Sequence, residues 1–177
     1  MSDSGVTVSV YFRDFVAAAD SVTVRPRDPF LSRLYFAHAV TLMEKYLSDV
    51  LLSEIRANPA ALKRLANTPK FRDQCLPIPQ VLNTSINDYL VRGMQNEVWH
   101  RLNDVQVFYS AALQVEFQIS KAIRDAIAKR HHIIHRNGMD LQGNAVDVTD
   151  DEVLTLYADI TRFLQDIDGK YLCTRGA

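Results

Sequence analysis

The sequence predicts an all-α domain, a bundle of four to five main helices, and three observations point that way. The stretch from Phe30 to Arg56 holds no glycine or proline. It carries Phe36, Ala39, Val40, Met43, Leu47 and Val50 on one broad face, the spacing of a core helix. Only six glycines and six prolines occur in 177 residues, which suits helices better than the many turns of a β-sandwich. Helix starts are also marked: Asp28-Pro29 sets a capping side chain before a proline at the first helical position, and Thr149 with Glu152 has capping-box spacing.

The opening Val6–Phe12 alternates apolar and polar residues with β-branched side chains, which favours a short strand, paired with Ser21–Val24 as a hairpin. Helical continuation into Asp14–Asp20 is the competing reading. The long helix that starts at Asp28-Pro29 ends at Asn58-Pro59, and Pro59–Ala66 reads as a short helix broken by Thr68-Pro69. Phe71–Asn83, with Pro77 and Pro79, reads as a connector. A helix from about Gly93 or Met94 through Leu102 follows, and helical spacing resumes through Val105, Phe108, Tyr109, Ala112 and Leu113 after a bend near Asn103-Asp104. The segment from Gln114 to His135 reads as one helix, Met139–Val148 as a polar loop, and Asp150 to about Tyr171 as the last helix. That helix sets Val153, Leu156, Tyr157, Ile160, Phe163, Leu164 and Ile167 on its apolar face. No repeat or composition shift divides the chain, so the expectation is a single domain over 1–177, with an N-terminal arm at 1–27 and a helical core at 28–171.

A composition of 47% hydrophobic and 23% charged residues is ordinary for a soluble domain, and a chain of this length can bury a real core. The net charge of −1 offers no general attraction for nucleic acid, so any such surface must come from local clustering. Five Lys or Arg against one acid, Asp125, lie between Lys121 and Arg136. Cys75 and Cys173 are too few for a disulfide framework or a metal knuckle, which points to a reducing cytoplasm. No apolar run approaches the ~20 residues of a membrane span, and Met1-Ser2-Asp3 does not open a signal peptide.

Chemistry concentrates in Arg130-His131-His132-Ile133-Ile134-His135-Arg136-Asn137-Gly138, which holds three of the five histidines. At roughly 100° per residue, Ile119, Ile123, Ala126, Ile127 and Ile134 share one face of the segment, with Arg130 near its middle. A guanidinium does not lose its proton in a protein, so burial demands either a carboxylate across the core or a cleft where an anion arrives. Glu44, at the edge of the long helix's apolar face, is the candidate partner; its plain reading is a solvated glutamate in local pairs. His131 and His135, four apart, lie roughly 40° from each other and could line one rim of a cleft, while His132 points elsewhere and reads as a surface residue. His100 is read as a helix-surface or core histidine, with reach to the cleft as the alternative.

Arg130, His131 and His135, in an Arg-His-x-x-x-His arrangement followed by Asn137-Gly138, resemble the signature of the HEPN superfamily of helical domains. The resemblance is specific at Arg130–Gly138 and loose from Asp28 to Tyr171. It implies an all-helical fold and a metal-independent endoribonuclease without cofactor, in which two protomers face their motifs across a shared groove. The residue types suit that chemistry. Histidine titrates near working pH and can carry the proton from a 2′-hydroxyl or to a leaving 5′-oxygen, and arginine matches phosphate oxygens. Under this reading His135 is the main acid and base, Arg130 holds the scissile phosphate and His131 assists. Glu44 and Asn137 support them, and Arg136, Lys129 and Arg124 contact RNA. The resemblance also implies a homodimer that acts as a toxin or in phage defence, with an antitoxin or regulatory protein as a further partner.

Two rivals use the same residues. His131 and His135 have the i, i+4 spacing of a zinc-binding pair, but His132 stands where such motifs carry glutamate, and no third ligand is evident nearby. A non-catalytic nucleotide- or protein-binding module of the same family would keep the fold and drop the reaction. A pair of histidines at a helix C-terminus also has a bland explanation, since the helix dipole favours positive charge there.

Overall fold

The computed structural model describes residues 7–23 and 28–176. Eight α-helices follow in order: α1 (Val10–Thr23), α2 (Pro29–Ala57), α3 (Pro59–Ala66), α4 (Ile78–Asn83), α5 (Ile86–Gln95), α6 (Leu102–Phe108), α7 (Lys121–His135) and α8 (Asp150–Gly176). A π-helical turn, Tyr109–Leu113, continues α6. Among the described residues the only β pairing is an isolated bridge between Met139 and Ala145.

The 29 residues of α2 span about 44 Å at ~1.5 Å per residue. Asp28 caps its start, accepting from the Phe30 and Leu31 amides at 2.9 Å, with Pro29 in the first turn. Ala39, Val40, Met43, Leu47, Val50 and Leu51 are all buried, and α2 packs against α1, α3, α5, α7 and α8. It is the axis of the core. Asn58 both ends α2 and caps α3 through the Ala60 and Ala61 amides, so one side chain sets the corner.

Of the strand expected at Val6–Phe12, residues 7–9 form no element and Val10–Phe12 open helix α1, which also takes up Ser21–Thr23 of the expected hairpin partner. Ser9 caps α1 by accepting from the Phe12 amide at 3.1 Å, and Phe12, Phe15, Ala19 and Val22 bury one helical face. Its hydroxyl also donates to Asp168 of α8, whose carboxylate accepts from the Ser9 amide and the Tyr46 hydroxyl at 2.8 Å. That buried knot ties α1, α2 and α8 together, so the N-terminal segment is part of the core. Val6 and Val24, which the hairpin would also use, lie outside the described residues.

Three further boundaries differ. The connector contains α4, and most of the helix placed at Gly93–Leu102 is a turn at 96–101, between an α5 that starts earlier, at Ile86, and an α6 that runs straight through the bend expected near Asn103-Asp104. The motif helix begins at Lys121 rather than Gln114. Gln114 takes a left-handed φ of 57°, and residues 115–120 lie outside any helix or strand, with Val115, Phe117 and Ile119 buried and the residues between them exposed. Arg64 of α3 holds this break, donating to the carbonyls of Ala111 and Ala112 at 3.0 and 2.6 Å, and Gln106 donates to that of Phe117. Ser120 then caps α7 through the Ile123 amide.

Candidate functional site

Helix α7 carries the motif and ends on it. The Arg136 and Gly138 amides both donate to the His132 carbonyl at 3.2 Å, and Asn137 and Gly138 take left-handed φ values of 52° and 77°. A bond spanning six positions thus closes the helix end over two left-handed residues, a conformation that side-chain-free glycine tolerates best. Beyond it, Asp140 folds the loop on itself by accepting from the Gln142 and Asn144 amides at 2.8 Å. The Asn144 side-chain amide, donating to the other Asp140 oxygen at 3.0 Å, leads in holding the carboxyl below the usual range, and these backbone amides add to it.

Ile123, Ala126 and Ile133 are the buried residues of α7. Arg130 falls among them, with its side chain only 16% exposed. Ile134, expected on the buried face, is 46% exposed and Ile133 takes its place, because Ile119 lies outside the helix and the true stripe is rotated. Arg130 reaches Glu44 of α2: Nη2 stands 3.9 Å from Oε2, an ion-pair distance without a hydrogen bond. Its Nε is buried and has no partner among the described residues. The other Glu44 oxygen lies 2.5 Å from His100 Nδ1, on the turn before α6. Glu44 thus joins a cation of α7 to an imidazole of a third element. A recess of about 470 Å³ opens there, walled by Thr41, Ser48, Trp99 and these three residues.

His131 and His135 lie on the exposed side of α7 with ring centroids 4.8 Å apart. The His131 imidazole is held below its ordinary value, first by partial loss of water and then by charge on His135, Arg136, His132 and His100. His132, expected at the surface, is half-buried, and its Nδ1 is enclosed without a partner among the described residues.

A family model described as RiboL-PSP-HEPN matches residues 12–172. The chain belongs to the HEPN superfamily. The match begins inside α1 and so takes in residues 12–27 of the segment read from the sequence as an arm. No curated protein and no solved structure matches the chain significantly.

Helix α7 thus carries Arg130 in its buried stripe, facing Glu44 of α2, and His131 and His135 beside one another on its exposed side. Asn137 and Arg136 are exposed at the helix end. Arg124 is exposed and, with His100, Arg101 and Ile127, borders a second recess of about 300 Å³. Lys129 departs from its expected role. Its ammonium bonds Glu152 of α8 at 2.7 Å and sits over the Phe36 ring, turned from the histidines toward the capping box of α8. Sequence reasoning left two residues out of the site. His100 had no signal beyond its type. Arg33 carried none, yet its Nη1 stands 2.6 Å from where a Cβ on Gly138 would be, which brings a further cation to the motif loop. Among the described residues no three His, Cys, Asp or Glu side chains converge as a metal site, and no helix is long and apolar enough to cross a membrane.

Proposed function

We propose that this HEPN domain is a metal-independent endoribonuclease. The observation that carries the reading is Arg130: a permanent charge set in the buried stripe of α7, loosely opposed by Glu44, with its Nε unpartnered among the described residues. Such a group is poised for a phosphate, and the His131–His135 pair follows on the same helix. Arg130 would hold the scissile phosphate and offset the phosphorane charge. His135 would transfer protons, with His131 beside it held neutral and Asn137 shaping the helix end. Arg124 and Arg136 would track the flanking backbone. The products would be a 2′,3′-cyclic phosphate and a 5′-hydroxyl.

The site is completed, in this reading, by a second copy of the chain. Ile134, Met139 and Leu141 are 46%, 44% and 66% exposed around the motif's end, apolar surface that a facing protomer would cover. A role as a toxin or phage-defence effector in the cytoplasm, held in check by a protein partner, follows from the same reading.

A non-catalytic binding module is the second reading, favoured by the presence of an internal carboxylate within ion-pair range of Arg130. Incubating the purified protein with cellular RNA in excess chelator separates the two. Cleavage that persists and disappears in both Arg130→Ala and His135→Ala supports the nuclease. Chelator-sensitive cleavage supports a metal enzyme, and absence of cleavage supports the module.

A further inference from the structure

His100 has one ring nitrogen engaged by a carboxylate and an open edge. A carboxylate can only accept, so the nitrogen 2.5 Å from Glu44, Nδ1, carries the proton. Whenever the ring is neutral, its lone pair is on Nε2, which has no hydrogen-bond partner among the described residues. The side chain is 30% exposed and borders both recesses, the one containing Arg130 and the one containing Arg124. A carboxylate that orients an imidazole through Nδ1 and leaves Nε2 free is the arrangement of a general base.

We propose that His100, oriented by Glu44, is the base that removes the 2′-hydroxyl proton from an RNA strand lying between Arg124 and Arg130. The inference rests on the ribonuclease reading and gives each protomer a base distinct from His135, since one imidazole cannot be base and acid in the same step. The O2′–H bond breaks and its proton passes to His100 Nε2. O2′ bonds to phosphorus while the P–O5′ bond breaks, and O5′ takes a proton from the imidazolium of His135. No oxidant, reductant or further reactant is needed. Arg130 and Glu44 each gain a second role: Arg130 places phosphorus within reach of His100, and Glu44 is a positioning residue.

The test uses the full chain and two probes, cellular RNA for cleavage and a 2′-O-methyl oligoribonucleotide for binding. His100→Ala is expected to cleave about 100-fold more slowly or worse, the scale of a lost base. It should bind the 2′-O-methyl RNA within threefold of the parent and recover at least tenfold in rate with added imidazole. His100→Asn retains a donor for Glu44 and so guards against misfolding; it should be equally slow and gain much less from imidazole. Glu44→Gln should lower the rate by a smaller factor with RNA binding retained. Should the parent cut RNA while His100→Ala cuts within threefold of it, the base assignment is overturned and the nuclease stands. A folded His100→Asn with parental rate overturns it equally. If the parent cuts no RNA, the nuclease reading fails and the base falls with it.

Discussion

Replacing Arg130 with methionine separates a catalytic cation from a structural one. The side chains of Arg130 and Glu44 are 16% and 17% exposed and their closest charged atoms are 3.9 Å apart. At an effective dielectric of about 20, that separation gives roughly 4 kcal/mol of attraction. Holding a largely buried guanidinium and carboxylate away from water costs several kcal/mol per ion, and the missing hydrogen bond to Nε removes part of the compensation. The two sides nearly cancel. Methionine restores the buried volume without the charge, and Glu44 keeps its bond to His100. Arg130→Met should therefore change the unfolding free energy in urea by less than about 1 kcal/mol, or about 2–4 °C in midpoint for a chain of this size. Its RNA cleavage should fall by at least about 100-fold, as expected for a lost phosphate clamp. A loss of about 3 kcal/mol or more, the usual result of breaking a true buried pair, would refute the reasoning and make Arg130 the structural counterion of Glu44.

Other consequences can be checked directly. Gly138→Ala forces a side chain into φ 77° against Arg33 and should cost about 1–2 kcal/mol by urea unfolding; adding Arg33→Ala frees the contact but not the backbone, so most of the loss remains. His38, bonded to the Tyr157 hydroxyl at 2.9 Å, is held below its ordinary value by burial. The unfolded chain then binds more protons between the folded value and about 6.5. Stability should fall as pH drops through that window and level off below it, and His38→Gln should flatten the slope in thermal melts at graded pH. Among the described residues Lys129 and Lys121 pair with Glu152 and Asp125, while Arg124 and Arg136 have no ion pair. With Arg130 that leaves about three phosphate contacts, so binding of single-stranded RNA should weaken with log salt at a slope near −2; a slope beyond about −5 would require a much wider basic surface.

The helices that were legible in the sequence are those whose ends are written locally. Asp28-Pro29, Asn58-Pro59 and the Thr149–Glu152 box each bond within three residues of themselves, so the pattern states the boundary. The misread elements were decided at a distance. Ser9 caps a helix while Asp168, 159 residues away, holds its amide and hydroxyl. The local alternation before Phe12 says nothing of that partner. Gln114–Ser120 is different: Val115, Phe117 and Ile119 alternate in full view, and the reading failed because Ile119, Ile123 and Ile127 also continue a helical spacing. The two periods overlap at Ile119, and the clamp of Arg64 on Ala111, 47 residues away in sequence, settles which applies.

The site divides along the same line. Arg130, His131 and His135 fall within six residues of one helix, so periodicity alone places them together. Glu44 could be named as a partner because its helix face was legible and a buried arginine demands a carboxylate. His100 is legible only as an alternative, because its position depends on the 96–101 turn, a stretch whose sequence reads as helix. The basic cluster shows the converse error. Counting charge along the chain scores Lys129 as free, whereas the acid that neutralises it packs in from α8, 23 residues later. A motif thus reports which chemistry is near at hand, but the number of charges left for a ligand is set by the elements that fold over it. Here that leaves an arginine and two neighbouring imidazoles supplied by α7, and an oriented imidazole that only the packing of α2 against the turn before α6 brings alongside.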